Sequence, residues 1–281
     1  MAPDNKDGPA SFQAVADKNE QAIDEDSDVD DDFAQLQRVQ SKKRREDKQQ
    51  KPRIQELLDP HPFAPNIRPL GISDLQSAIA LENAAFTDPQ HRASAEKIEY
   101  RLTTCPELSL GVFQTVVPGQ IKDVDMFPAL DFAHSVETKR PDGAKSVLIA
   151  HIIATASNSA VVTDKTMDIP PKWKIDKGNG EVGHLEGGKV ICMHSLAVAP
   201  KMQGCGLGKL VIKSFLQQMK TIGSERVALI CQDYLVTYYE RFGFKHVGKS
   251  SAKFGGGGWH NMIFDLGGGG SAPGTSSSSS S

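Results

Sequence analysis

A glycine-rich turn directly after a strand-like run constrains the fold of this chain more than any other feature. The apolar run extends from Val190 to Val198, and the turn Gln-Gly-Cys-Gly-Leu-Gly extends from Gln203 to Gly208. Glycine adopts positive φ angles and lets a ligand approach the backbone, and a helix that begins near Gly206 would direct unpaired N–H groups at an anion. The pattern therefore predicts a strand, a pyrophosphate-binding turn and a helix.

Two other nucleotide-binding patterns fit this turn poorly. A Walker loop needs a Ser or Thr hydroxyl after its lysine to hold Mg²⁺, whereas Leu210 follows Lys209 here. A dinucleotide fingerprint opens the first βαβ unit and is followed about 20 residues later by an acidic residue, whereas this turn lies near the end of the chain. The sequence therefore disfavours a P-loop and a dinucleotide fold.

The Gln-x-x-Gly-x-Gly pattern instead resembles the acetyl-CoA pyrophosphate loop of the GNAT acyltransferases. Further stretches, in the same order, resemble the arylalkylamine (serotonin) N-acetyltransferases: Cys-Pro-Glu-Leu-Ser-Leu-Gly from Cys105, His-Ser-Leu-Ala-Val from His194, Ala-Leu-Ile-Cys-Gln-Asp from Ala228, and Tyr-Glu-Arg-Phe-Gly-Phe from Tyr239. The resemblance covers approximately residues 66 to 266 and rests on several separate motifs.

This resemblance implies an α/β fold with a mixed, mostly antiparallel central sheet flanked by helices. Two central strands, ending at Val198 and Cys231, are expected to splay apart and admit the acyl thioester. The implied activity is acetyl-CoA-dependent transfer of an acetyl group to the primary amine of an arylalkylamine, by direct attack in a ternary complex. The apolar patterns themselves predict strands over residues 108–117, 146–156, 190–198, 226–231, 244–249 and 259–266.

Both ends of the chain differ in composition from this central region. Residues 1–65 combine an acidic block with a basic cluster, Lys42 to Arg45, and residues 267–281 are rich in glycine and serine. Neither end can bury enough apolar surface to offset its ordering entropy, so we expect a disordered charged segment, one acetyltransferase domain over 66–266, and a disordered tail. The basic cluster could be a nuclear signal or a docking site, although a solvated tail is the simpler interpretation.

Composition excludes several function classes. No run of about 20 apolar residues could span a bilayer and no signal peptide is evident, so we expect a cytoplasmic protein without membrane attachment, with nuclear entry possible through Lys42–Arg45. None of the four cysteines forms a CxxC pair, which predicts reduced thiols and no metal site. The net charge of −3 gives no reason to expect nucleic acid. The flanking segments do not resemble phosphorylated 14-3-3 sites, so that partner is not predicted.

Amine acetylation requires removal of a proton from the amine and protonation of the departing thiolate. The resemblance implies His194 as the general base and Tyr239 as the general acid, since a phenol with a pKa near 10 remains protonated at neutral pH. In the absence of the motif, a core histidine and a packed tyrosine would be the expected interpretations. Vertebrate relatives have a second histidine two residues before the first, and here that position is Cys192. A buried thiol is the expected interpretation of Cys192, which leaves proton removal to His194 alone or to a water chain ending at an acceptor such as Glu82.

The family's binding residues also have counterparts here. The expected acetyl-CoA contacts lie along the strand, where backbone pairing with the pantetheine and an oxyanion donor near Val198 are expected, and in the turn: Leu196, Ala197, Val198, Gln203, Gly204, Cys205, Gly206, Leu207, Gly208 and Lys209. The expected apolar pocket for the amine is formed by Phe86, Pro89, Met193, Ile230, Phe254 and Trp259.

The sequence leaves open three alternatives to an arylalkylamine N-acetyltransferase. Asp88-Pro89-Gln90 and Gly255 to Gly258 differ from the residues that relatives have there, and a wider pocket could prefer polyamines. Long insertions over 118–145 and 163–188 could dock a polypeptide, which would suit a protein N-acetyltransferase. The cysteine at position 192 would also be compatible with a CoA-binding regulatory module without turnover.

Overall fold

One mixed sheet organises the chain in the computed structural model, which describes residues 53–136, 141–176 and 181–267. Its strands follow the spatial order β1-β2-β4-β5-β6-β8-β7, and the two-residue β3 pairs with β4. The strands are β1 Asn66–Pro69, β2 Leu110–Val116, β3 His134–Ser135, β4 Lys145–Ser157, β5 Val190–Val198, β6 Arg226–Cys231, β7 Lys245–Lys249 and β8 His260–Asp265. The predicted strands are therefore present: 190–198 and 226–231 match, and the bounds of the other four are shifted by at most two residues.

The helices pack against the central strands of this sheet. They are α1 Leu75–Ala85, α2 Ala95–Thr104, α3 Asp164–Met167, α4 Leu207–Thr221 and α5 Val236–Glu240. The first two and α4 contact β4, which is buried along nearly its whole length because it lies in the middle of the sheet. The predicted α/β fold, with a sheet flanked by helices, is confirmed.

The sheet opens between its two central strands. Strands β5 and β6 are parallel and pair only from Val190 with Arg226 to Met193 with Leu229, whereas the other strand pairs in the sheet are antiparallel. Beyond Met193 no β6 partner remains for β5, although β5 continues to Val198. The mostly antiparallel sheet and the splayed strands are thus as predicted.

Apolar side chains form two separate clusters. The larger cluster contains most of the sheet interior and the buried faces of α1, α2 and α4. A smaller cluster joins α3 to β5, β6 and the segment before β8 through Met167, Cys192, Ala228, Ala252 and Trp259, among others. Met167 therefore ties the 163–176 part of the insertion to the sheet through this second cluster.

The packed part of the chain begins earlier than the sequence suggested. Residues 53–58 are helical, and Ile54 and Leu58 are only 1% and 2% exposed within the larger cluster. These residues fall inside the segment expected to be disordered, so the boundary at residue 66 is too late. The basic cluster Lys42–Arg45 and the predicted tail from residue 268 lie outside the described residues.

Candidate active site

A cavity of about 320 Å³ lies where β5 and β6 separate. One end reaches the glycine-rich turn, and the other end is formed by aromatic and apolar side chains. Its lining comprises Ala85, Phe86, His91, Met167, Met193, His194, Ser195, Leu196, Val198, Gln203, Gly204, Gly208, Leu229, Ile230, Cys231, Leu235, Tyr238, Tyr239, Phe254 and Trp259.

The glycine-rich turn has the geometry of an anion site. Gly204 and Gly206 have φ angles of 72° and 89°, a region that favours glycine. Gly206 is the residue before α4, and no side chain caps this helix end, so the first N–H groups of the 15-residue helix are available to a phosphate. The guanidinium of Arg53 also lies here, because a Cβ added to Gly204 would be 3.7 Å from its Nη1.

The open edge of β5 presents its backbone to the cavity. Ala199 donates its N–H to the carbonyl of Ile149, on β4. Because polar groups alternate along an antiparallel strand, Leu196 and Val198 direct their N–H and C=O groups to the opposite edge, where β6 has diverged. An extended thioester arm can pair with these groups. The Gln203 amide donates to the Val198 carbonyl at 3.2 Å and links the strand to the turn.

The predicted acetyl-CoA residues divide into two groups. Leu196, Val198, Gln203, Gly204 and Gly208 line the cavity. The others stand behind this surface: Ala197, Cys205 and Leu207 are buried at 0%, 5% and 1% exposure, Gly206 caps α4, and Lys209 lies in its first turn. The buried side chains of Ala197, Cys205 and Leu207 pack beneath the strand and the turn, and none of the second group lines the cavity.

A β-bulge places His194 at the point where the strands separate. Ser195 pairs with Ile153 and Met193 pairs with Ala154, so His194 is the extra residue on β5. A bulge interrupts the strict alternation of side chains and re-aims one of them. Met193 and His194, which are consecutive, accordingly both line the cavity.

The environment of His194 keeps its imidazole neutral. The Nε2 atom lies 2.8 Å from the Thr155 hydroxyl, and Nδ1 is buried with no hydrogen-bond partner among the described residues. Burial, followed by the positive charges of Arg101 and Lys97, holds the pKa of His194 well below its usual value. A neutral imidazole has one nitrogen lone pair that can accept a proton, so the role of His194 as a base stays a prediction.

Arg101, which contributes to this effect, is itself an unusual buried cation. Its side chain is 3% exposed, and Nη2 donates to the carbonyl of Met167 at 2.9 Å. Burial lowers its pKa to about 10, although nearby anionic groups, Glu82 first among them, oppose this change. Arg101 therefore remains positively charged at neutral pH close to His194 on β5.

A buried polar network reaches the cavity beside His194. Ser195 donates its hydroxyl to Glu82 Oε2 at 2.6 Å, and His151 Nε2 lies 3.2 Å from the same oxygen. The Ala93 N–H donates to the other carboxylate oxygen at 3.0 Å. Burial raises the pKa of Glu82, but the hydrogen bonds from His151, Ser195 and Ala93 outweigh it and hold the pKa below its usual value.

Sequence reasoning named Glu82 only as an end point for a water chain and missed Ser195, His151 and Thr155. One signal was readable: Glu82 occupies an apolar position of α1, three or four residues from Ala78 and Ala85, and the residues buried there include Leu81 and Glu82 together. A carboxylate on the buried stripe of a helix needs hydrogen-bond partners. The identity of those partners depends on strand register, which the sequence does not reveal.

Two adjacent tyrosines of α5 face the cavity. Tyr239 is 6% exposed, and burial raises the pKa of its phenol, so the hydroxyl stays protonated throughout the physiological range. Tyr238 also lines the cavity, with its ring centroid 5.3 Å from that of Tyr239. Its hydroxyl lies over the turn, since a Cβ added to Gly208 would be 2.5 Å from it. Tyr239 is thus available as an acid, and Tyr238 packs on the anion site.

Five of the six residues predicted for the amine pocket line the cavity. Phe86, Met193, Ile230, Phe254 and Trp259 do so, whereas Pro89 is exposed and lies outside the lining. The 3₁₀ turn Pro89–His91 instead directs His91 inward, with its ring 5.0 Å from that of Trp259. The proline sets the turn, and the histidine, which the sequence analysis missed, supplies the contact.

Cys192 has the surroundings of a structural thiol. It is 0% exposed and belongs to the smaller apolar cluster. Burial raises its pKa to about 11, which outweighs the hydrogen bond with Thr166. A protonated thiol away from the cavity lining is unsuited to covalent catalysis. Among the described residues there is no group of three or more metal-ligating side chains, and none of their helices has the length and apolar character needed to cross a membrane.

Comparison with known proteins shows which proteins this chain resembles. Residues 149–266 match the model of the acetyltransferase (GNAT) domain, a range that contains β5, the turn and Tyr239. Similar proteins include serotonin N-acetyltransferases from Mesocricetus auratus and Homo sapiens, 25% and 26% identical over 198 residues, with 68% of this chain and 73% of each relative covered.

A second kind of acetyltransferase is also similar. Glucosamine 6-phosphate N-acetyltransferase from Trypanosoma brucei brucei is 23% identical over 127 residues, covering 45% of this chain and 77% of that protein. Among solved structures, the loading GNATL domain of CurA from Lyngbya majuscula has a TM-score of 0.47 at 16% identity, covering 72% of this chain and 98% of that one. The match over residues 149–266 and the similarity to serotonin N-acetyltransferases show that the protein is an acyltransferase that resembles the GNAT enzymes.

Proposed function

We propose that this protein transfers the acetyl group of acetyl-CoA to the primary amine of an arylalkylamine of the tryptamine or phenylethylamine type. The observation that carries the proposal is the composition of the cavity. It joins an uncapped helix end and an open strand edge to an aromatic compartment, and no Asp or Glu is among the described residues that line it. Such a compartment suits a flat apolar ring.

The donor end fits the chemistry of acetyl-CoA. When bound, acetyl-CoA supplies a thioester carbonyl that an amine can attack. The N–H groups at the start of α4 and the Arg53 guanidinium offer donors and positive charge to the pyrophosphate, and the backbone of Leu196 and Val198 offers pairing to the pantetheine arm. The N–H of Val198, or one beside it on the open edge, serves as the oxyanion donor.

The acceptor amine must lose a proton before or during attack. His194 lines the cavity with an imidazole that its low pKa keeps neutral, which makes it the proposed base. Since the low pKa of His194 makes its protonated form short-lived, the proton must pass to another acceptor. Ser195 lines the same cavity and donates to ionised Glu82, so a water between the two side chains would connect the amine to a buried carboxylate. Glu82 acts through Ser195 in this scheme.

The departing thiolate is protonated by Tyr239. Its phenol is buried where β5 and β6 separate, and burial raises its pKa, so the proton is present at neutral pH. Ring contacts with Tyr238 and Phe244, at 5.3 and 5.6 Å, fix its position. The base and the acid then lie on different elements, β5 and α5, that border the same opening.

Polyamines and peptides are less suited to this cavity. A polyamine keeps one or more distal ammonium groups, which need a carboxylate partner when they leave water. The described lining offers His91 and apolar side chains at the acceptor end instead. A lysine-bearing peptide would need an open groove, whereas the rings of Phe254, Trp259 and His91 pack against one another at this end. Both remain as outcomes of the test.

The test is CoA-thiol release by the purified full-length protein with acetyl-CoA and matched amines. We expect kcat/KM for tryptamine and phenylethylamine to exceed that for spermidine by about tenfold or more, since the desolvated distal charge of spermidine has no partner. Phe254→Ala should raise the KM for tryptamine and leave that for spermidine nearly unchanged. A preference for spermidine or a lysine peptide would refute the substrate assignment. Acetyl-CoA binding without turnover would indicate a regulatory module.

A further inference from the structure

The aromatic wall of the acceptor compartment is carried by an intrinsically weak segment. Phe254 and Trp259 are separated by four glycines, Gly255 to Gly258, with φ angles of 54°, 91°, 79° and 78°. Glycine has the largest conformational entropy to lose and no side chain with which to pack. This segment cannot hold two rings in register by its own preferences, so its shape must be imposed by contacts.

Contacts within the segment hold the two rings together. The Trp259 indole N–H donates to the carbonyl of Phe254 at 2.6 Å, and the rings are stacked with centroids 6.2 Å apart at 27°. Gly257 donates its N–H to the same carbonyl at 3.1 Å. These contacts close the turn on itself, but they do not fix its orientation relative to the sheet.

One carboxylate anchors the turn from outside. Asp164, the first residue of α3, accepts the N–H of Lys253 with both oxygens at 3.0 Å and the N–H of Phe254 with Oδ1 at 3.0 Å. Charge-assisted hydrogen bonds to two consecutive backbone N–H groups determine the direction of the chain as well as its position. The side chain of Phe254 therefore takes its orientation from Asp164.

The segment that carries Asp164 is itself fastened to α2. The Trp173 indole donates to Glu96, Lys174 pairs with Glu99 at 3.0 Å, and Arg101 donates to the carbonyl of Met167. A reciprocal pair of hydrogen bonds between Thr163 and Thr166 caps α3. Met167, one turn after Asp164, lines the cavity. The chain of contacts thus runs from α2, through α3, to the aromatic wall.

We propose that Asp164 is a positioning residue for acceptor selection: by holding the backbone of Lys253 and Phe254, it keeps the Phe254 and Trp259 rings stacked at the width that admits a flat aromatic amine. The proposal rests on the function proposed above, since it assumes that the amine binds at this end. The 163–176 insertion then serves as a scaffold for substrate choice, without touching the donor site.

The test compares Asp164→Asn with Asp131→Asn, which removes an exposed carboxylate from the 3₁₀ turn Leu130–Phe132 and serves as the matched control. Asparagine keeps the size but loses the charge and one acceptor. We expect the KM for tryptamine to rise about tenfold in Asp164→Asn, as for the loss of a hydrogen bond to a charged group, with kcat and the KM for acetyl-CoA within about twofold. Asp164→Glu, which keeps the charge, should recover part of the loss, and Asp131→Asn should match the wild type.

A readout that needs no turnover accompanies the kinetics. Hydrogen exchange of a peptide that spans residues 250–262 should accelerate in Asp164→Asn, because the N–H groups of Lys253 and Phe254 lose their acceptor. Faster exchange with an unchanged KM for tryptamine would overturn the proposal, as would unchanged exchange. If the wild-type protein acetylates no aromatic amine, the proposed function fails, and the exchange result alone then decides whether Asp164 positions the turn.

Discussion

Replacement of Tyr239 by Phe separates proton donation from every other role of this side chain. The ring is 6% exposed and contacts Tyr238 and Phe244, and Phe preserves these contacts while deleting the hydroxyl. If the phenol protonates the departing thiolate, kcat should fall about 100-fold, the lower end of the range for a general acid. The melting temperature and the KM for acetyl-CoA should change little.

Tyr238→Phe is the matched control, because it removes a hydroxyl from the next residue in the same cavity. Tyr238 lies over Gly208, so its loss should act on the donor site: the KM for acetyl-CoA should rise a few-fold, as for one neutral hydrogen-bonding group, and kcat should fall far less than in Tyr239→Phe.

The assay is steady-state thiol release with saturating amine, followed as a function of pH. Because burial raises the pKa of Tyr239, the wild-type kcat should show no alkaline decline from this group up to about pH 10, the usual value for a free phenol. A wild-type kcat in Tyr239→Phe, or a larger loss of kcat in Tyr238→Phe than in Tyr239→Phe, would refute the assignment of Tyr239 as the general acid.

Three further predictions concern charge. Arg101→Met removes a positive charge that lowers the pKa of His194, so the acid limb of the pH profile of kcat/KM should move to higher pH, whereas Arg101→Lys should leave it in place. Equal pH profiles for Arg101→Met and the wild type would contradict the assignment of His194 as the base. Glu82→Gln should cost about 2–4 kcal/mol in the free energy of unfolding at pH 7, measured with urea. Since the folded pKa of Glu82 lies below its unfolded value, this difference should shrink as the pH falls below about 4.5. Arg53→Ala should raise the KM for acetyl-CoA roughly threefold and leave the KM for the amine unchanged; the reverse pattern would exclude Arg53 from the donor site.

Motifs with a fixed local geometry were predictable from the sequence. The turn from Gln203 to Gly208 combines glycines, a preceding strand and a following helix, and each of these leaves a local signature. The strands and the order of the motifs then indicated the family, and with it the wedge between β5 and β6. The ends of four other strands were shifted by one or two residues, because pairing with neighbours decides where a strand stops.

Features that depend on register or on distant contacts were not predictable. The pairing of Glu82 with Ser195 joins residues 113 positions apart, and a one-residue bulge at His194 sets the direction of its neighbours. The burial of Ile54 was missed because a short apolar pattern in a charged segment resembles a solvated tail. His91 was missed for a similar reason, since its contact with Trp259 depends on how two turns meet.

The most direct test of the account is a competition experiment. The full-length protein is incubated with acetyl-CoA and equimolar tryptamine, spermidine and a lysine-bearing peptide, and the products are identified by mass spectrometry at low conversion. We predict that the mass of one acetyl group appears predominantly on tryptamine, at its primary amine, and that His194→Gln reduces this product strongly while acetyl-CoA binding persists. Acetylation predominantly of spermidine or the peptide, or full activity in His194→Gln, would contradict the proposed substrate or the proposed base, respectively.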